Sequence, residues 1–164
     1  MSSLQYFERI LFVGIGATAV LDVWLILLGR MGIPTLNFAY VGRWVGHLTR
    51  GTMLHAGIAR STPIRGELAL GWFTHYAIGI SFAWLLLGIQ GMAWARQPTL
   101  WPCLLLGVST VLMPLFVMQP AMGAGFASSK TATPAKNVIR SVANHVVFGF
   151  GLYLSSLLAA QWLR

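Results

Sequence analysis

The sequence predicts an all-α integral membrane protein: four transmembrane helices, an in-plane interfacial helix, and two helix–connection–helix repeats in parallel orientation. Composition is the first reason, because 57% of the 164 residues are hydrophobic and 9% are charged, against roughly 25% charged in an average soluble domain. Mean hydropathy is +0.73. Together with a single cysteine, these values exclude the soluble-globular, disordered, collagenous and disulfide-rich classes.

Four apolar stretches are the second reason, and each approaches or exceeds the roughly 20 residues that cross a bilayer as a helix. They are Ile10–Leu28, Leu68–Ala95, Leu100–Met118 and Val138–Leu163. We expect the first stretch to be retained as a span rather than cleaved as a signal peptide, because Asp22 interrupts it and no small-residue cleavage site follows. Residues 1–164 are therefore expected to form a single transmembrane domain.

The basic residues predict the orientation of the chain. Eight of the eleven flank the two long connections between spans: Arg30, Arg43, Arg50, Arg60, Arg65, Lys130, Lys136 and Arg140. The other three are Arg9, Arg96 and Arg164. Since Lys and Arg are retained on the cytoplasmic side, the long connections are expected in the cytoplasm and both termini in the periplasm. The net charge of +8 forms no basic stripe or binding motif, so no nucleic-acid partner is expected.

The first long connection predicts a helix over Thr35–Arg50, with Thr35 as its cap. Its apolar stripe comprises Val41, Trp44, Val45 and Leu48. This spacing is typical of a helix that lies in the membrane interface, where Arg43, Trp44 and Arg50 would contact lipid headgroups. A cytoplasmic helix packed on the bundle is the alternative.

The second long connection contains Gln119–Phe126, which is small, apolar and broken by Gly and Pro. Such a segment enters a membrane only where protein or a water cavity covers it. A re-entrant segment and a plain loop remain equally open here.

An internal repeat is the third reason for the predicted fold. Residues 8–95 and 99–164 match weakly but in order, and the alternative is chance likeness between apolar helices. The matched pairs are Gly16–Asp22 with Gly107–Met113, Thr62–Arg65 with Thr133–Lys136, and Thr74–Gly79 with Asn144–Gly149. Each half holds an even number of spans, so the two repeats would share one orientation.

Three ionisable residues are expected at one depth, roughly 12 Å from the cytoplasmic ends of their helices at about 1.5 Å per residue. They are Asp22, His75 and His145. Thr18, Asn144 and Met113 accompany them as further candidates for a substrate or ion site. Ionisable groups inside a bilayer are costly and are usually functional.

Several chemistries fit this polar layer. It could bind a cation, relay a proton, or form a buried Asp–His hydrogen bond that fixes helix register. Two imidazoles on facing helices could also ligate haem b. A hydrolase triad from Ser109, His75 and Asp22 lacks a nucleophile elbow, so no catalytic residue is assigned. His47 and His55 are expected at the interface, and Glu67 is expected to cap the second span.

Four segments resemble a bacterial family of small inner-membrane proteins that is classified only as a domain of unknown function. They are Gly32–Trp44, Arg65–Trp72, His75–Gly79 and Met118–Gly125. The resemblance covers nearly the whole chain and implies a four-helix protein of the bacterial inner membrane. It supplies no activity, substrate or site residue.

The leading functional hypothesis is a small permease or transport-associated protein with a cation- or proton-responsive Asp/His layer. The proline-broken ends of spans one and three, at Pro34 and Pro120, favour it, because transporter sites lie at such breaks. The alternatives are a non-catalytic membrane partner subunit and a bis-His haem-binding membrane protein; an enzyme is not favoured. The expected partners are the lipid bilayer and either a second copy or a partner membrane subunit, because four spans can hardly enclose a wide pore.

Overall fold

The computed structural model describes residues 3–163, and this part of the chain is helical and contains no β-strand. Four helical segments have the length and hydropathy of membrane spans, as the sequence predicts: Leu4–Arg30, Glu67–Arg96, Leu100–Ala121 and Pro134–Trp162. The protein is thus an all-α, multi-pass membrane protein.

The helices that build these spans follow directly from the four apolar stretches. Residues 3–163 contain six α-helices: α1 (Ser3–Arg30), α2 (Phe38–Leu48), α3 (Glu67–Arg96), α4 (Leu100–Ser109), α5 (Gln119–Ala121) and α6 (Pro134–Trp162). The third span is interrupted, because a π-helical turn over Pro114–Met118 separates α4 from α5. Pro114 has no N–H to donate to the preceding turn, and π turns of this kind are common at functional sites.

The described chain forms two compact units, and the first comprises residues 3–34, 76–109 and 144–163. Its core is built from α1, the later part of α3, α4 and the later part of α6. The buried core residues are Val13, Ala17, Ala83, Leu86, Cys103, Phe148, Leu152 and Ala159. Small residues allow the helices to approach closely: a Cβ added to Gly107 would lie 2.6 Å from the Cα of Gly149.

A buried arginine closes one end of the first unit. Arg9 of α1 is 3% exposed, and its guanidinium donates to the carbonyls of Ala95 and Leu163, each at 2.6 Å. These carbonyls lie at the C-terminal ends of α3 and α6, where unsatisfied oxygens favour a positive charge. Arg9 therefore joins three helices.

The second unit comprises residues 35–75 and 110–143. It contains α2, a 3₁₀ turn over Ile58–Arg60, the first turns of α3, the π turn, α5, a second 3₁₀ turn over Phe126–Ser128, and the start of α6. The segment before the first 3₁₀ turn is bonded to the end of α5, since His55 N donates to Ala121 O (2.8 Å) and Ile58 N to Met122 O (2.9 Å). Residues 119–125 are buried or half-buried, whereas Phe126 is exposed.

Helix α2 begins later than expected and packs on α3. Its cap is Asn37 rather than Thr35, because the Asn37 side chain accepts from the backbone N–H of Ala39 at 3.0 Å. The face against α3 is set by Gly42, whose Cα lies so close to α3 that an added Cβ would overlap the carbonyl oxygen of Glu67. Of the predicted stripe, Val41 is buried and Leu48 is exposed. The interfacial position of α2 stays a prediction.

Candidate functional site

The carboxylate of Asp22 is bonded to a tyrosine in the first unit. Tyr76 of α3 donates its hydroxyl hydrogen to Asp22 Oδ2 at 2.8 Å, and both side chains are half-buried. Asp22 lies eight residues before the end of α1, or about 12 Å along the helix axis. The sequence singled out Asp22 but missed Tyr76, which directly follows the expected histidine. The phenol supplies a strong, charge-assisted hydrogen bond to the carboxylate.

Thr18 serves packing in the same unit. It is fully buried, and its hydroxyl donates to the carbonyl of Gly14, one turn earlier, at 2.7 Å. Gly79 of α3 lies against it, and a Cβ at that position would overlap Thr18 Oγ1. The contact between Thr18 and Gly79 thus determines how closely α1 and α3 cross. Thr18 lies four residues before Asp22 in α1.

Asn144 and His145 join α6 to two different helices of the first unit. Trp24 of α1 donates its indole N–H to Asn144 Oδ1 at 3.0 Å. His145 Nδ1 lies 3.2 Å from the carbonyl oxygen of Gly107 in α4. Since a carbonyl can only accept, His145 carries a hydrogen on Nδ1 in this contact.

His75 lies in an aromatic cluster of the second unit. Its ring centroid is 4.6 Å from that of Phe38 and 5.9 Å from that of Trp72. Phe38 is the first residue of α2, so the cluster contributes to the packing of α2 on α3. The cation-binding role predicted for His75 remains a hypothesis.

Met113, a predicted site residue, has an exposed side chain. Its side chain is 53% exposed, whereas Thr110 and Val111 are buried. Ser109, one turn earlier, is exposed as well. The buried positions in this part of the chain are Gly107, Thr110 and Val111, and a site role for Met113 stays a prediction.

An ion pair that the sequence did not predict joins α2 to the first residue of the second span. Arg43 of α2 is 7% exposed and forms a bidentate pair with Glu67, with Nη2–Oε1 at 2.7 Å and Nε–Oε2 at 2.8 Å. Its remaining terminal nitrogen donates to three carbonyls, those of Ile58, Ala59 and Ser61. The hydrogen bonds to Glu67 raise the pKa of Arg43 above its ordinary value, although burial opposes this, so the guanidinium stays charged.

The predicted headgroup contact of Arg43 stays a prediction, but this pair gives its guanidinium partners within the protein. Every guanidinium nitrogen of that side chain is used within the protein, because Gly42 brings α2 against the first turn of α3 and leaves Arg43 facing Glu67. Glu67 also accepts from the backbone N–H of Ile64 at 2.9 Å, which agrees with its expected place at the start of α3. Trp44 donates its indole N–H to the carbonyl of Met53 at 3.0 Å, and Arg50 is exposed. Lipid contacts for these two residues stay predictions.

Within residues 3–163, no group of three or more His, Cys, Asp or Glu side chains is arranged to hold a metal ion. The two histidines outside the spans do meet, however. His47 Nδ1 and His55 Nε2 are 2.8 Å apart. Sequence spacing could not reveal this contact, because a turn at Gly51 separates the two residues.

These features define a class: an α-helical, multi-pass membrane protein with a hydrogen-bonded carboxylate inside its spans and a buried ion pair beside them. Within that class, the chain belongs to the family described as "Protein of unknown function (DUF2938)", which it matches over residues 11–159. No curated protein and no solved structure matches the chain.

Proposed function

We propose that this protein is a small permease or transport-associated membrane protein whose proton- or cation-responsive residue is Asp22. The observation that carries the proposal is the hydrogen bond from Tyr76 to Asp22 inside two apolar spans. An aspartate at the centre of a spanning helix costs about 2.5–3.5 kcal/mol on insertion scales and marks ion and proton pathways when it occurs.

The neutral partner favours exchange of a proton at Asp22. A phenol can donate to the ionised carboxylate, and its oxygen can accept from the protonated acid. The other two acidic residues of the chain differ. Glu67 is fixed by Arg43, and Glu8 is exposed near the start of α1. Asp22 is therefore the acidic group best suited to gain and lose a proton within a span.

The proposal includes a location and an assembly. The distribution of basic residues favours the bacterial inner membrane with periplasmic termini. Because side chains fill the core of the first unit, a solute path would need a second copy or a partner subunit. We therefore expect a homodimer or a complex with another membrane protein.

A non-catalytic partner subunit is the second candidate. It is favoured by an apolar groove of about 630 Å³ on the first unit, lined by α1 and α6 residues that include Phe12, Ile15, Val20, Leu154 and Leu158. A groove of this kind suits a helix of another membrane protein. Nothing in residues 3–163 favours the bis-His haem alternative.

Proton movement through reconstituted protein tests the leading proposal. The full chain is incorporated into liposomes that hold a pH-sensitive dye, and the internal pH is followed after an external acid pulse, with K⁺ and valinomycin to prevent build-up of charge. We expect the wild-type protein to collapse the gradient faster than protein-free liposomes do. Asp22→Asn, which keeps the size of the side chain, should return the rate to that of protein-free liposomes.

Glu8→Gln is the matched control, because it removes an exposed acidic group from the same helix; its rate should equal that of the wild type. If wild-type and protein-free liposomes behave alike, the permease proposal is wrong and the partner-subunit candidate takes its place. If Asp22→Asn retains the wild-type rate while it remains folded, Asp22 is not the responsive residue.

A further inference from the structure

A pair of histidines outside the membrane-spanning helices lies between two backbone carbonyl groups of the second unit. His47, in the last turn of α2, places Nε2 3.0 Å from Thr62 O. His55 places Nδ1 3.4 Å from Ala121 O. The facing nitrogens, His47 Nδ1 and His55 Nε2, are 2.8 Å apart. The four groups form one continuous chain from carbonyl to carbonyl.

The orientation of the rings fits a hydrogen bond between them. The ring planes differ by 22°. The ring centroids are 5.0 Å apart while the facing nitrogens are only 2.8 Å apart, so the two rings meet edge to edge and lie nearly in one plane. One nitrogen therefore donates in the plane of the ring to the lone pair of the other. A nitrogen–nitrogen distance of 2.8 Å is within the range of a strong N–H hydrogen bond.

The number of ring hydrogens determines how much of this chain can form. Both carbonyls can only accept, so the outer nitrogens need one hydrogen each, and the inner contact needs a third. Two neutral imidazoles carry only two hydrogens. When the two hydrogens are on His47 Nε2 and His55 Nε2, the hydrogen bonds to Thr62 O (3.0 Å) and to His47 Nδ1 (2.8 Å) form. His55 Nδ1 then has only a lone pair, which faces Ala121 O at 3.4 Å. One further proton completes the chain.

The elements around the pair carry the following charged groups. The Glu67 carboxylate at the start of α3 interacts electrostatically with His47, and the charge of Arg43 on α2 is neutralised by the same carboxylate. Arg50 and Arg60, on α2 and the 3₁₀ turn, are exposed to solvent. The Gln119–Ala121 segment carries no ionisable side chain. Ala121 ends the third span, where helix carbonyls favour positive charge.

The contact between His55 and Ala121 joins the two long connections of the chain. His55 N and Ile58 N already donate to the carbonyls of Ala121 and Met122. Gly123 lies against the backbone of Ala56, where an added Cβ would be 2.6 Å from the Ala56 carbonyl carbon. A donor on His55 Nδ1 adds a charge-assisted bond to this junction, and such bonds are roughly twice as strong as neutral ones.

We propose that His47 and His55 form a proton-binding site, in which a proton taken from water binds His55 Nδ1, bonds to the carbonyl of Ala121, and tightens the junction between the two long connections. The site is distinct from Asp22, and its test does not depend on transport.

Nitrogen NMR of ¹⁵N-histidine-labelled full-length protein in lipid nanodiscs tests the count of hydrogens. Between pH 8 and pH 5 we expect His55 Nδ1 to gain a hydrogen, with His47 Nδ1 and His55 Nε2 coupled through their hydrogen bond throughout. The proposal is overturned if His55 Nδ1 carries its hydrogen already at pH 8, stays unprotonated at pH 5, or if no coupling connects the two rings.

Hydrogen exchange followed by mass spectrometry tests the junction. After correction for the intrinsic effect of pH, backbone exchange at residues 55–58 should slow about tenfold from pH 8 to pH 5, the effect of one charge-assisted bond. His55→Gln keeps a donor toward His47 but loses the titrating nitrogen, so its corrected exchange should not change with pH. Arg60→Gln, an exposed cation removed from the same segment, should behave like the wild type. Equal pH dependence in His55→Gln and wild type would refute the proposal.

Discussion

Tyr76 of α3 donates a 2.8 Å hydrogen bond to the carboxylate of Asp22 in α1. The acidic residue that interrupts the first span is thus bonded to a neutral hydroxyl on a second span. The expected histidine, His75, precedes that tyrosine by one position and lies in an aromatic cluster of the second unit.

Tyr76→Phe removes the donor and keeps the ring. We expect a loss of about 1.5–3 kcal/mol in the free energy of unfolding, as for a hydrogen bond to a charged group. Proton flux should persist with an altered rate profile, because the carboxylate loses its hydrogen-bond donor. Thermal melts and dye-based flux measurements across pH 5–8 check this. An unchanged profile in a folded variant would mean that the phenol does not act on Asp22.

Removing either partner of the Arg43–Glu67 pair should destabilise the second unit strongly. Arg43→Met or Glu67→Leu leaves the other charge buried, which costs on the order of 3–5 kcal/mol. The double variant should cost less than the sum of the single ones. Arg60→Met, at an exposed position, should be nearly neutral. Detergent melts of these variants measure the coupling, and additive losses would count against a direct pair.

The charge state of Arg43 should not affect stability in the ordinary pH range. The pKa of Arg43 is raised by its hydrogen bonds to Glu67, so the stabilisation is fully present below the pKa that Arg43 has in the unfolded chain. It is lost only as pH rises through the still higher folded-state value. Melts from pH 6 to pH 9 should therefore show the same Arg43→Met deficit, and a deficit that vanishes in that range would contradict this reasoning.

The α1–α3 crossing should tolerate no side chain at Gly79 unless Thr18 is shortened. Gly79→Ala places a methyl group on the Thr18 hydroxyl, and overpacking of this kind typically costs about 1–3 kcal/mol. Adding Thr18→Ala should recover most of that loss. Gly88→Ala, with no atom within 4 Å of the new methyl group, is the control and should be neutral or stabilising. Failure of Thr18→Ala to recover stability would show that a different contact limits this crossing.

The spans were predictable from sequence because hydropathy and length act over twenty residues or more. The predicted Leu68–Ala95 and the observed Glu67–Arg96 differ by one residue at each end. The side-chain partners were harder to predict. Adjacent helix positions such as His75 and Tyr76 point about 100° apart, so a small error in the assumed rotation of α3 exchanges one for the other.

Three other features depended on contacts that sequence spacing does not contain. Arg43 is off the apolar stripe of α2, yet the close approach at Gly42 buries it against Glu67. His47 and His55 meet only because the chain turns at Gly51. Met113 matches Asp22 in the predicted repeat, yet it is exposed and the buried positions beside it are Thr110 and Val111.

The predicted orientation of the chain is tested with reporters fused after Arg164. Since eight of the eleven basic residues flank the long connections, an alkaline phosphatase fusion there should be active and a green fluorescent protein fusion dark. Fusions in the Thr35–Asn37 segment should show the opposite pattern. Fluorescence of the C-terminal fusion would reverse the topology and place Asp22 nearer the periplasmic side.

The central claim, that Asp22 takes up and releases a proton within the spans, is tested most directly by pH-difference infrared spectroscopy of the purified protein in lipid. The account predicts a pH-dependent carboxylic-acid band that shifts in frequency in Tyr76→Phe, is absent from Asp22→Asn and is present in Glu8→Gln. A band that is unchanged in folded Asp22→Asn would contradict the claim.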